Sequence, residues 1–401
     1  MNTKQKYIAP TPRYAAVQGS FWATFCIIFA YASVYLLSKG YSNSQIGVVI
    51  AVAGAISAIL QPIVADFADR SERVSLAHII TFWAAIIIAV SAALLIPNMN
   101  FMLIGIFYGV AVAGLQILTP LVNAIGMEYM NKGVPINFGV ARGIGSISYA
   151  AISFIIGKMV ERYNTNTIPM MCILLYAILI TASLTFHFTT SIDGVKVNKS
   201  KNPESGIEKK EASEKSFFAK YKLFFLLLVG VTFSFISHNL LNNYMFQIMS
   251  YHGGGSSDMG TALSIAATIE LPTMLGFSLL IKKFRSGTLL KVSGTFFMIK
   301  ALFTFLAPNV FGIYIAQCTQ ILGFALQVPA SVYYVNALMQ NKDRVKGQAF
   351  MTATNTLGSI AGSLAGGFLL DGYGVKTLLL TGFLTGVVGM LITFVSTEKI
   401  D

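Results

Sequence analysis

The sequence predicts an all-α integral membrane protein, with twelve transmembrane helices in two six-helix bundles related by a pseudo-two-fold axis. Three observations carry this: an apolar composition, twelve apolar runs with polar boundaries, and one long polar tract that divides six runs from six. Of 401 residues, 55% are hydrophobic and only 11% are charged, against roughly a quarter charged in a soluble domain. Mean hydropathy is +0.69. A soluble enzyme is excluded on these grounds. The net charge of +12 does not imply a nucleic-acid partner, because in so apolar a chain it reads as basic residues gathered in loops on one side of a bilayer.

The runs fall near 15–38, 44–67, 75–97, 100–128, 136–160 and 166–189, then near 219–249, 257–282, 287–307, 310–338, 345–370 and 375–396. Each is long enough to cross about 30 Å of hydrocarbon as a helix. Between the two sets lies SIDGVKVNKSKNPESGIEKKEASEKSFFAKYK, too poor in apolar residues to order itself. The expected organisation is therefore a first bundle over 1–190, a cytoplasmic linker over 191–217 and a second bundle over 218–401. Of the 28 Lys and Arg residues, 22 fall in segments on the side of the N-terminus and 4 in the opposite loops. The positive-inside rule then places both termini in the cytoplasm of a cell-membrane protein. The first residues carry Lys4, Lys6 and Arg13 without a short apolar core and cleavage site, so the first span is expected to serve as the membrane-entry signal.

Weak internal similarity supports the pairing of halves: Gly145, Ser146 and Ile147 of span five fall on Gly358, Ser359 and Ile360 of span eleven at an offset of 213. Gly358, Gly362 and Gly366 recur every four residues and make a smooth face for close helix packing. Cys26, Cys172 and Cys318 lie in apolar stretches without metal-like spacing and read as small hydrophobes. No P-loop, metal cluster or hydrolase constellation stands in the sequence, so ATP-driven transport and catalysis have no support, and no metal or cofactor is expected.

At the end of span two, QPIVADFADRSER resembles the loop signature of the major facilitator superfamily, with Ala65 and Glu72 in place of its glycines and Arg73 near its final basic positions. The resemblance implies a gate on the cytoplasmic side formed by Asp69 and Arg70, assisted by Asp66. Span five, INFGVARGIGSISYA, resembles the Phe-Gly-x-x-Arg motif of the lactose permease branch, the oligosaccharide and proton symporters. Arg142 matches its sugar-binding arginine. Tyr149 lies seven residues on, about 700° round the helix and so on nearly the same face, where that family has a tryptophan. Aligning on Pro120 puts Asn123 where the permease pairs its arginine with a glutamate.

Span eight, GTALSIAATIELP, is similar to the permease segment whose glutamate couples sugar to proton, and Glu270 falls on that glutamate. It is also the one acidic residue placed deep in a run, and an ionisable group there is a functional site by default. Lys300 of span nine falls where the family has an arginine. In span seven His238, Asn239, Asn242, Asn243 and Gln247 form a polar stripe, and in span ten Gln320 and Gln327 are expected to share a face. The substrate-contact set is therefore Arg142, Tyr149, Asn123, His238, Asn239, Asn242, Gln320 and Gln327, with Glu270 and Lys300 for proton coupling. The implied protein is a monomeric secondary transporter working by alternating access. It takes up a small neutral polar solute such as a sugar or oligosaccharide, with H⁺ as coupling ion. A nucleoside symporter, a drug or metabolite exporter and a non-transporting membrane sensor stay open as alternatives.

Overall fold

The computed structural model describes residues 10–71, 74–187 and 217–398. The expected linker, apart from its last residue, and the loop residues Glu72 and Arg73 lie outside these, as does the side chain of Asp69. Regular structure among the described residues is helical throughout. Ten helices are long and apolar enough to cross a membrane, and an eleventh span is the pair Pro10–Ala30 and Ala32–Ser38, bent by 44°. The helix Asn341–Ser396 has 56 residues with a non-helical break at Gly374 (φ 78°, ψ −177°). At 1.5 Å per residue it would measure about 84 Å, nearly three hydrocarbon thicknesses, so it must be two crossings. That makes twelve.

The first six spans are Pro10–Ser38, Asn43–Arg70, Leu76–Ala93, Phe101–Asn131, Phe138–Arg162 and Thr167–Thr185. Span seven is Lys222–Asn243 continued by Met245–Tyr251, span eight Ser256–Lys283, span nine Ser286–Leu306 and span ten Val310–Leu338. Spans eleven and twelve divide at Gly374. Outward positions remain apolar and exposed, as at Ile59, Met102 and Phe311. Such a surface has acyl chains as its solvent.

Several spans are interrupted, and the interruptions are local consequences of sequence. Span one contains a π-helical turn over Cys26–Ala30. Span eight breaks at Glu270, between Ser256–Ile269 and Leu271–Lys283, where Pro272 lacks the N–H needed to continue the ladder. Span ten tightens to a 3-10 turn over Thr319–Ile321 before restarting at Phe324. These breaks fall near mid-membrane, where irregular backbone is tolerated only against protein or a wet cavity.

With an even number of crossings among the described residues, Pro10 and Glu398 lie on one face of the membrane, here the near face. Hydrogen bonds joining the first six spans to the last six gather towards the far face. Asp371 accepts from the backbone N–H of Asn43 (3.1 Å) and Ser44 (2.7 Å), capping the start of span two, and Gln247 donates to Asn43 (2.8 Å). Glu161 likewise accepts from the N–H of Ser257 at the start of span eight (3.1 Å). A carboxylate at a helix N-terminus is favourable by about 1 kcal/mol.

The two seals are copies of each other. A Cβ on Gly47 would lie 2.3 Å from the Ser363 carbonyl oxygen, and one on Gly260 would lie 2.3 Å from that of Ser153. The hydroxyls of Tyr244 and Tyr31 donate to those same two carbonyls. Gly47 and Gly260, Tyr31 and Tyr244, and Ser44 and Ser257 are each 213 positions apart. Between spans five and eleven the sealing pairs Ser153 and Ser363, Gly157 and Gly367, and Glu161 and Asp371 are instead 210 apart. The sequence register of 213 holds around Gly145 and Gly358, which press on Trp22 and Phe235. It shifts by nearly one helical turn towards the far face. The glycine face of span eleven packs on span seven, Gly366 against Tyr244 and Gly362 against Asn239.

Because the nearest atom to a Cβ on Gly47 is a backbone oxygen, and the Tyr244 hydroxyl beside it is tied to that same oxygen, a side chain there has no free neighbour to displace. Gly47→Leu is expected to open the far face. With the native cysteines replaced and spin labels at Ser42→Cys and Gly372→Cys, the inter-label distance distribution should move to longer values. An unchanged distribution would show that the crossing does not hold the seal.

Candidate functional site

A cavity of about 470 Å³ lies between the two sets of spans. The structure brings to it, from the expected set, Asn123, Arg142, Tyr149, His238, Asn239, Asn242, Glu270 and Gln320. Its first wall rests on span one. There Gln18 donates to Asn123 Oδ1 (3.0 Å) and to the Tyr14 hydroxyl (2.6 Å), and accepts from the Trp22 indole N–H (3.0 Å). Trp22 is thereby locked, and the Arg142 guanidinium stacks over its ring at 3.8 Å. Arg142 also donates to Ser146 one helical turn along (3.0 Å). The aromatic partner of Arg142 is thus Trp22, from a different span, while Tyr149 lines the cavity separately.

The opposite wall is a hydrogen-bonded chain of side chains from four spans. Gln320 Nε2 donates to Glu270 Oε1 (2.7 Å), and Lys300 donates to Gln320 Oε1 and to Asn242 Oδ1 (3.3 Å). The Asn242 amide meets His238 Nε2 at 2.7 Å, and the His238 ring stacks on Phe324. Glu270 is 7% exposed and Lys300 2%. They form no direct ion pair: Gln320 stands between them, held in position by the 3-10 turn. An amide is suited to this because it presents a donor to the carboxylate and an acceptor to the ammonium at once. Asn239 is buried and donates back to the Phe235 carbonyl (2.8 Å).

Two expectations need correction. Gln327 does not share a cavity face with Gln320. It is buried, accepting from Ser293 of span nine (3.0 Å), because the 3-10 turn and the restart at Phe324 break the helical phase between the two glutamines. Gln247 leaves the span-seven stripe for the far-face seal, since the helix breaks at Tyr244. On the near face, Arg70 bonds Asp66 within its own helix (2.8 Å), and both are exposed.

Residues that the sequence reading passed over are Gln18, Trp22, Gln61 and Gln116. Gln61 donates to the Gln116 carbonyl (2.9 Å) and Gln116 Oε1 accepts from Ser57 (2.8 Å). The signal was present, an amide inside an apolar run, as in spans seven and ten. Among the described residues no group of His, Cys, Asp and Glu could hold a metal ion.

The MFS_1 like family matches residues 15–381. The Uncharacterized transporter YwbF of Bacillus subtilis (strain 168) is 23% identical over 95% of this chain and 92% of its own. A maltose permease of Geobacillus stearothermophilus is 25% identical over 44% of this chain and 45% of its own. Among solved structures, the nucleoside transporter NupG superposes with a TM-score of 0.72 at 13% identity, covering 96% of this chain and 96% of that one. An auto-inhibited peptide transporter of the POT family gives 0.71 at 10%, covering 96% and 95%. At such identities the structures speak for the fold, and the fold is the same. The chain belongs to the MFS_1 like family and is a multi-pass transporter of the major facilitator superfamily, not an enzyme.

Proposed function

We propose that the protein is a proton-coupled secondary transporter for a small polar solute of the sugar class, with both termini cytoplasmic and the far face extracellular. The reading is carried by one observation: a carboxylate buried at a helix break beside the cavity, Glu270, is wired through Gln320 to Lys300 and through Asn242 to His238. Charge gained or lost at Glu270 is therefore felt by side chains that a solute in the cavity would touch. Binding and protonation that act on one network share a coupling free energy. Arg142 and Tyr149, with amides on both walls, would hold hydroxyls of the solute. The far-face seal makes this the inward-open form, in which Asp66, Asp69 and Arg70 are the near-face gate awaiting closure.

A nucleoside is the second reading. It is favoured by Phe25, Phe29 and Phe324 in the cavity lining, aromatic faces that would suit a planar base, and by the likeness of the fold to a nucleoside transporter. Counterflow in proteoliposomes with sugars and nucleosides in parallel separates the two.

Glu270→Gln, which resembles a permanently protonated acid, is expected to abolish uphill accumulation driven by a pH gradient while sparing counterflow. Gradient-driven accumulation that survives in Glu270→Gln would move coupling away from this residue. Gln320→Leu leaves Lys300 and Glu270 each short of a partner, a loss of about 1–3 kcal/mol; melting in detergent should show it. For the gate, Asp69→Ala combined with Arg70→Ala should slow turnover more than it weakens equilibrium binding. The reverse pattern would assign the pair to the solute site.

A further inference from the structure

The cavity contains more positive than negative charge. Arg142 and Glu270 line it, and Lys300 lies directly behind its wall. Lys300 donates to two amide oxygens, as an ammonium does, and is linked to Glu270 through Gln320. That leaves Arg142. Its hydrogen bond to Ser146 and its stacking on Trp22 are contacts with neutral groups. The ion pairs Asp66 with Arg70, Glu128 with Lys132 and Asp343 with Lys220 do not involve Arg142. The position that could have supplied an acid on the same wall, Asn123, is neutral and occupied in holding Gln18.

While the cavity is open, water compensates this cation. Occlusion removes the water, and positive charge in excess of the single carboxylate then becomes costly. Trp22 covers one face of the guanidinium and fixes its plane, leaving N–H donors for a planar acceptor, and a carboxylate matches that fork. The remaining walls present amides and hydroxyls, among them Gln61, Gln116, Asn242 and Asn355.

We infer that the solute is a monoanion, a polyhydroxy carboxylate of the sugar-acid class, whose carboxylate pairs with Arg142 and permits the cavity to close. This rests on the sugar-class reading above and replaces the neutral solute that the sequence suggests. A neutral sugar leaves the cation uncompensated. With Glu270 ionised, a phosphate dianion brings one negative charge too many.

The chain has two tryptophans, and only Trp22 lines this cavity, so in a Trp83→Phe background its emission reports entry of a ligand. Purified protein is titrated with glucuronate, glucose and glucose 6-phosphate at fixed pH and salt. The expected result is a Kd for glucuronate at least tenfold below the other two. Arg142→Gln should reduce the preference to within about twofold. Asn123→Glu, which keeps Arg142 and adds an acid to its wall, should do the same and guards against misfolding of the first variant. Equal or tighter binding of glucose or its phosphate, or a preference that survives in both variants, overturns the inference and leaves the sugar-class reading standing. If none of the three changes Trp22 emission, the sugar-class reading falls and the inference with it.

Discussion

In a bilayer every polar group must find its partner inside the protein, because hydrocarbon offers none. The hydrogen-bonded chain from Glu270 through Gln320, Lys300 and Asn242 to His238 is what that constraint produces when a carboxylate and an ammonium must both sit in the membrane without touching. The chain draws on spans seven, eight, nine and ten. It therefore couples the positions of four helices to the charge of one group. The helix breaks at Glu270 and at Thr319–Ile321 belong to the same arrangement, since they give up backbone regularity to place the acid and the amide against each other.

The opposite wall obeys the constraint by a different route. There Gln18, Asn123, Tyr14 and Trp22 satisfy one another, and the one charged group, Arg142, is covered by an aromatic face rather than paired with an acid. One wall links its charged groups to each other, with His238 Nδ1 left without a partner, and the other holds its charge against neutral groups. If the solute supplies the counter-charge proposed for Arg142, that asymmetry is a physical basis for selectivity, because closure around the wrong solute strands a charge.

Closure itself rests on backbone contact. At the far face, Gly47 and Gly260 let helices of opposite bundles meet at carbonyl oxygens that Tyr244 and Tyr31 also occupy, and Asp371 and Glu161 cap the helices that begin there. A few hydrogen bonds and caps of about 1 kcal/mol each are weak enough to be released in a transport cycle. The glycine contacts make the closed geometry specific. Near the other face Arg70 bonds only within its own helix, so the two ends of the cavity are in different states.

Composition and run lengths alone place the chain in a membrane, with twelve crossings and corresponding halves. These follow from run length and composition, which depend on the bilayer thickness and not on any contact within the protein. Glu270, Arg142 and the amides of span seven were legible for a related reason, since a polar residue in an apolar run is costly and so marks a site. Which side chains pair is a matter of packing between helices. That Trp22 rather than Tyr149 stacks on Arg142, that Gln320 separates Glu270 from Lys300, and that Gln327 turns to Ser293 all depend on how helices from different parts of the chain are set against each other. Helical periodicity gives a residue's face relative to its own axis. It says nothing of the neighbouring axis, and it fails outright where a 3-10 turn resets the phase, as between Gln320 and Gln327.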